Sequence, residues 1–154
     1  MKCFFLAGYF GCGKTTQANL LQKEFPQFNY LGGKSGLDAI GSVDNLVKAI
    51  KSSKSEMIAH GCIYQSEPSI LRFSRLTDLT IIVLNSLPLT VKERSLKRGA
   101  TEYDPINFKH QHNFIKKLPQ LKKFYTFNLE IVDNNKSEQE VHTAIKRIIL
   151  NELQ

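Results

Sequence analysis

The stretch "GYFGCGKTTQ", Gly8 to Gln17, follows directly on the apolar run "CFFLA", Cys3 to Ala7. A short apolar run bounded by glycine reads as a buried strand. Gly8, Gly11 and Gly13 allow backbone of positive φ and let the chain come close to a ligand. From Lys14 onward the spacing predicts a helix to about Phe25, with Ala18, Leu21 and Phe25 on one face and Pro26 ending it. Strand, glycine loop and helix in that order make an anion cradle. The loop N–H groups converge, and the positive end of the helix dipole points at the same place.

Gly8, Gly13, Lys14 and Thr15 fit G-x-x-x-x-G-K-[ST], the Walker A phosphate loop. On that reading Gly8, Gly11, Cys12, Gly13, Lys14, Thr15 and Thr16 bind a nucleoside triphosphate. Lys14 reaches its β- and γ-phosphates, and the Thr15 hydroxyl ligates Mg²⁺. The expected cofactors are therefore ATP and Mg²⁺. Cys12 lies beside Lys14 and the helix N-terminus, two features that favour a thiolate. It is either a redox-sensitive thiol or a small residue that the loop tolerates.

Outward from the loop, strand and helix signals alternate. "NYL" at Asn29 to Leu31 is a short strand. Ser42 precedes a helix carrying Val43, Leu46, Val47 and Ile50. "EMIA" at Glu56 to Ala59 is strand-like, and Ser66 with Pro68 opens another helix. "TIIVLN" at Thr80 to Asn85 is apolar on both faces, as a central parallel strand must be. Thr90 and Glu93 have capping-box spacing, and Ile106 to Lys123 is helical in pattern with a break near Pro119. "FNLEIV" ends at Val132. Ser137 and Glu140 cap a last helix that buries Val141, Ala144, Ile145 and Ile148. The expectation is one α/β domain over residues 1–154, a three-layer fold with about five parallel strands flanked by helices. Ligands of such sheets sit beyond the carboxyl ends of the strands.

The chain has 154 residues and a formal charge of +7. Between Lys92 and Lys123 there are nine Lys/Arg and three Asp/Glu, so this stretch alone carries +6. That concentration suits an anionic partner, or it is a solvated face. In "INFKHQHNFIKKLPQLKKFYTF" aromatic residues interleave with Lys109, Lys116, Lys117, Lys122 and Lys123, a pattern that fits nucleic acid or an ordinary amphipathic helix. His110 and His112 are two apart and do not form a metal pair on a helix. No apolar run approaches the roughly 20 residues of a membrane span. Cys3, Cys12 and Cys62 show no zinc or disulfide spacing. The expected setting is soluble and cytoplasmic.

"GKTTQANLL" resembles the nucleoside monophosphate kinases of the thymidylate kinase type. "LGGKS" at Leu31 to Ser35 stands where that family has its acceptor-side loop. "KERSLKRG" resembles its lid, with Arg94 and Arg98 matching the R-x-x-x-R pair. "EIVDNNKSEQEVHTAIKRI" resembles its ending, where the loop lies near the adenine. The resemblance implies a P-loop kinase fold and places Arg94 and Arg98 over the transferring phosphate, a role that the chemistry of guanidinium also supports.

The chain departs from that family at "AHGCIYQSE". His60 and Gly61 stand where the family has Asp and Arg, so the acceptor-phosphate arginine and an acidic Mg²⁺ partner are both missing. Arg72 or Arg75 could replace the arginine. Asp38 is the preferred base or orienting carboxylate for a hydroxyl acceptor, and Glu67 is the alternative. Three functions stay open. The leading one resembles the bacteriophage kinases that phosphorylate a 5-hydroxymethylpyrimidine base in DNA, with Lys116 and Lys117 on the DNA. The second is a free (deoxy)nucleoside monophosphate kinase. The third is a non-catalytic nucleotide-binding module. Oligomeric state is not legible.

Overall fold

Strand β1 (Lys2–Gly8) is the centre of a five-stranded parallel sheet, and every residue from Cys3 to Gly8 is buried. The structure, a computed structural model, describes residues 1–32, 43–61, 64–97, 99 and 105–154. After β1 come α1 (Lys14–Glu24), β2 (Asn29–Leu31), α2 (Val43–Ser52), β3 (Met57–His60) and α3 (Glu67–Leu76). Then follow β4 (Asp78–Asn85), α4 (Pro88–Lys97), α5 (Pro105–Leu121), β5 (Asn128–Asp133) and α6 (Glu138–Glu152).

The strand order is β2-β3-β1-β4-β5. Leu6 stands beside His60 of β3, and Gly8 beside Leu84 of β4. The chain winds to one side of β1 through β2 and β3, then crosses to the other side for β4 and β5. A crevice opens beyond β1 at such a reversal, and the glycine loop begins there.

Alternation along β1 builds two apolar layers. Cys3, Phe5 and Ala7 join Ile50 of α2, Ile70 and Phe73 of α3, and Phe114 and Leu118 of α5. Phe4 and Leu6 join Ala18 and Leu21 of α1 and Val141, Ile145 and Ile149 of α6 on the opposite face. The three-layer parallel architecture expected from the alternating pattern is the one observed. In α6, Ile149 is buried while Ala144 and Ile148 are half-buried, so the inward stripe is shifted slightly from expectation.

Helix starts follow local chemistry in most places. The Ser66 side chain accepts from the Ser69 N–H at the start of α3, and Pro68 sits in its first turn. The Ser137–Glu140 capping box opens α6. The Thr90–Glu93 box does not form. Helix α4 begins two residues earlier at Pro88, and the Val91 N–H already bonds the Leu87 carbonyl. Proline at the first helical position has its φ preset and lacks an N–H that would be unpaired there, so it displaces the start that Thr90 suggested. Helix α5 also passes through Pro119 without a break. Leu118 and Leu121 on either side are buried, and their packing holds the last turn.

Candidate active site

The glycine loop joins β1 to α1 with Gly8, Gly11 and Gly13 all at positive φ (154°, 80° and 97°). Two of them also meet close neighbours. A Cβ on Gly8 would lie 2.6 Å from Cys12 Sγ, and one on Gly11 would lie 2.7 Å from Ser95 Oγ of α4. Gly13, at the N-cap of α1, supplies no side-chain cap, and the first turn carries no acid. The helix's first N–H groups and its dipole are thus left for an external anion.

Lys14 is buried, and its ammonium donates to the carbonyls of Gly8 (2.9 Å) and Tyr9 (2.6 Å). Cys12 Sγ lies 3.7 Å from the same Nζ, inside the loop and almost wholly buried. Thr15 and Thr16 stand half-buried in the first turn of α1. Among the described residues no cluster of three or more His, Cys, Asp or Glu could hold a metal ion. The Thr15 hydroxyl in this first turn is a hard oxygen donor of the kind that suits Mg²⁺ on a bound phosphate.

The loop is braced from three places in the chain, by residues to which the sequence assigns no role there. Gln65 takes the Gly8 N–H on its Oε1 (2.8 Å) and donates Nε2 to the Gly8 carbonyl (2.9 Å). Asn134, just past β5, donates to the Cys12 carbonyl (2.6 Å) and to Ser86 Oγ (2.7 Å). From α5, Gln111 Oε1 accepts the Phe10 N–H at 2.5 Å, Tyr9 pairs with His112 Nδ1 at 2.8 Å, and Tyr9 stacks on Phe108 at 4.3 Å. Burial, with the nearby Cys12, raises the Tyr9 hydroxyl above its ordinary pKa, so it stays protonated in this contact. Glutamine and asparagine carry no motif. For Gln65 and Asn134 the only sequence signal is a position after the carboxyl end of a strand, and Gln111, inside α5, has none.

Arg94 of α4 reaches the same loop, donating to the Asn134 carbonyl (3.0 Å) and more weakly to that of Cys12 (3.4 Å). The structure thus brings Lys14, Cys12 and Arg94 together. Arg98 and Asp38 lie outside the described residues, as does Cys62. Arg72 is exposed on α3 and pairs with Asp44 of α2 at 2.5 Å. Arg75 is in the last turn of α3, three residues before β4 begins, at the amino end of the strands, opposite the glycine loop. Glu67 is exposed and accepts from the Tyr125 hydroxyl at 2.9 Å. Lys116 and Lys117 are exposed on α5, the helix whose Gln111 and His112 touch the loop.

His60 closes the carboxyl end of β3. It is 3% exposed, and its Nε2 lies 2.7 Å from the Tyr30 hydroxyl of β2. Burial, with the Lys14 charge nearby, lowers its pKa from 6.5 to about 4. The imidazole is therefore neutral at neutral pH. The unfolded chain holds a proton here between about pH 6.5 and 4 that the folded chain does not, so stability falls as pH falls through that window. The shift corresponds to about 3 kcal/mol. Denaturant midpoints measured from pH 7 to pH 4 are expected to drop more steeply in the wild type than in His60→Gln. Equal slopes would remove His60 as the cause.

No protein-family model matches the chain, and no curated protein matches it. Solved structures do. Deoxyadenosine kinase from M. mycoides, with products dCMP and a flexible dCDP bound, superposes over 100% of both chains with a TM-score of 0.64 at 14% identity. A gluconokinase from Sinorhizobium meliloti 1021 gives 0.63 at 13% identity, over 99% of this chain and 95% of its own. Shikimate kinase from Aquifex aeolicus gives 0.61 at 13% identity, over 99% and 98%. The chain has the fold of the P-loop kinases. At these identities the likeness is one of fold. Within this P-loop kinase fold, the position at the end of β3 carries His60 and Gly61, and the glycine loop carries its lysine buried and hydrogen-bonded. No helix among the described residues is long and apolar enough to cross a membrane.

Proposed function

We propose that the chain is an ATP-dependent kinase, and that its acceptor is the hydroxyl of a 5-hydroxymethylpyrimidine base in DNA. The observation that carries the kinase reading is the Lys14 ammonium held inside a three-glycine nest at an uncapped helix start. Lys14 and the loop N–H groups would hold the β- and γ-phosphates, and Thr15 would hold the metal. Mg²⁺, when bound, would neutralise charge on the β- and γ-oxygens. Arg94 braces the loop from α4, and Arg98 would supply a cation to the transferring phosphoryl group. Asp38, seven residues past β2 in the sequence, would orient the acceptor.

The DNA acceptor is supported by two features. Gly61, not arginine, follows β3, so a free monophosphate loses its expected clamp. Lys109, Lys116 and Lys117 are exposed on α5, whose N-terminal half contacts the glycine loop. A polymer brings its own phosphates, and several lysines can hold it where one arginine is missing. The base would be single-stranded or flipped out to reach the γ-phosphate. A second reading, a kinase of free deoxynucleosides or their monophosphates, is favoured by the likeness to a deoxyadenosine kinase that holds dCMP and dCDP.

Labelled ATP offered with free deoxynucleosides, free dNMPs, plain DNA and hydroxymethylpyrimidine DNA separates these readings. Label in the modified DNA alone is the expected result. Label in a free nucleoside or nucleotide selects the second reading, and no label in any acceptor leaves a non-catalytic nucleotide module. Lys116→Ala with Lys117→Ala is expected to reduce the slope of log K against log[salt] for DNA binding by at most about 2, with ATP affinity unchanged. An unchanged slope would make both lysines part of a solvated face.

A further inference from the structure

We propose that Tyr30 and His60 form the proton-accepting pair for the acceptor hydroxyl, with the Tyr30 hydroxyl meeting the substrate and His60 Nε2 receiving the proton through it. The inference rests on the kinase reading, and deepens it for the same site.

Three observations place the pair. His60 shares its face of the sheet with Ile58, on the α1 side, and its neighbour in β1 is Leu6, two residues before the glycine loop begins. The Tyr30 hydroxyl is 2.7 Å from its Nε2, and Tyr30 as a whole is half-buried where His60 is buried, so the pair joins a partly open side chain to a buried base. Gly32 passes directly over the imidazole, and a Cβ at that position would overlap the ring. The chain leaving β2 is thus built around this imidazole. Among the described residues the titratable groups facing His60 are Tyr30 from β2 and Lys14 from α1.

The chemistry matches the task. A carboxylate is the usual proton acceptor for a hydroxyl in phosphoryl transfer. A neutral imidazole whose pKa is about 4 has a carboxylate's basicity without its negative charge beside the γ-phosphate. Tyr30 is pushed above its ordinary pKa by burial, so it keeps its proton and serves as a relay. As the acceptor oxygen forms its bond to the γ-phosphorus, the bond to the β–γ bridging oxygen breaks and ADP leaves with the electron pair. The acceptor's proton passes to Tyr30 Oη while the Tyr30 proton passes to His60 Nε2. The imidazolium, beside Lys14, then releases that proton to water.

The test uses full-length protein and the acceptor that wild type labels. His60→Gln and Tyr30→Phe are each expected to lower kcat by roughly 10²–10⁴, with KM for ATP within about twofold of wild type. His60→Asp restores a base and is expected to recover most of the rate. The wild-type rate is expected to stay flat from pH 8 to pH 5. Circular dichroism and ATP titration show whether each variant folds. If His60→Gln does not fold, Tyr30→Phe decides, since the phenyl ring keeps the packing and removes only the hydroxyl. A kcat within threefold of wild type in Tyr30→Phe overturns the relay. A full loss in Asp38→Asn beside unchanged His60→Gln overturns the pair and gives the proton to Asp38. If wild type labels no acceptor, the kinase reading itself has failed.

Discussion

Lys14→Ala is expected to abolish phosphoryl transfer, lowering kcat/KM by at least about 10²–10³, the usual effect of removing one preorganised electrostatic contact to a transition state. The reason lies in the loop. Its one ammonium already sits on the carbonyls of Gly8 and Tyr9 within the loop, so no long rearrangement is needed for it to meet a phosphate. Arg94 is the other cation bonded to this loop among the described residues, and its guanidinium is already engaged by the carbonyls of Cys12 and Asn134. It cannot take over the position. The substitution removes one donor from each carbonyl but leaves neither bare, since Gly8 keeps the Gln65 amide and Tyr9 keeps the Cys12 N–H, so its cost in stability is small, about 0.5–1.5 kcal/mol. Single-turnover transfer from labelled ATP, measured beside a thermal melt, separates the two effects. A folded Lys14→Ala protein with wild-type transfer would end the phosphate-loop assignment.

Gly8→Ala should be the most destabilising single-methyl change in the loop. Gly8 lies at φ 154°, and the new Cβ would stand 2.6 Å from Cys12 Sγ and 3.1 Å from the Leu84 carbonyl oxygen. The thiol can turn aside, but the carbonyl belongs to β4 and is fixed by the sheet. Backbone strain alone is worth about 1–3 kcal/mol, and the clash adds to it. Gly13→Ala is the control. Gly13 also has positive φ, at 97°, yet a Cβ there meets nothing within 4 Å. Urea unfolding should therefore show a loss of about 3 kcal/mol or more for Gly8→Ala, and about half that or less for Gly13→Ala. Equal losses would mean that the space around Gly8 can yield. ATP binding is expected to weaken in both variants, since both reset the directions of the loop N–H groups.

The fold was legible wherever its cause is local. Cys3 to Ala7, Thr80 to Asn85 and the Ser137–Glu140 box each carry their own instruction in adjacent residues, and each element lies where that instruction put it. The misreadings share a cause. Thr90 with Glu93 and the proline at 119 were weighed by spacing alone. In the folded chain, Pro88 sets the start of α4, and the burial of Leu118 and Leu121 carries α5 past Pro119. In the site, the glycine loop could be read because one continuous segment makes it. Gln65 and Asn134 could not, because they reach Gly8 and Cys12 across 57 and 122 residues of chain and belong to types that are common on any surface. His60 was legible as a departure but not as a buried neutral base. That property comes from its packing, and from Tyr30, 30 residues earlier in the chain.

The Gln65 amide bonds both the N–H and the carbonyl of Gly8. A neighbouring strand would make the same two bonds. Strand β3 ends at His60 and its backbone turns away at Gly61, so the ladder beside β1 would otherwise stop short of Gly8. A side chain thus stands in for the missing strand residue and extends the sheet by one rung. For proton exchange with solvent, this makes Gly8 the last amide of the core rather than the first of the loop. Slow exchange is then expected to run along β1 as far as Gly8, at the root of the phosphate cradle.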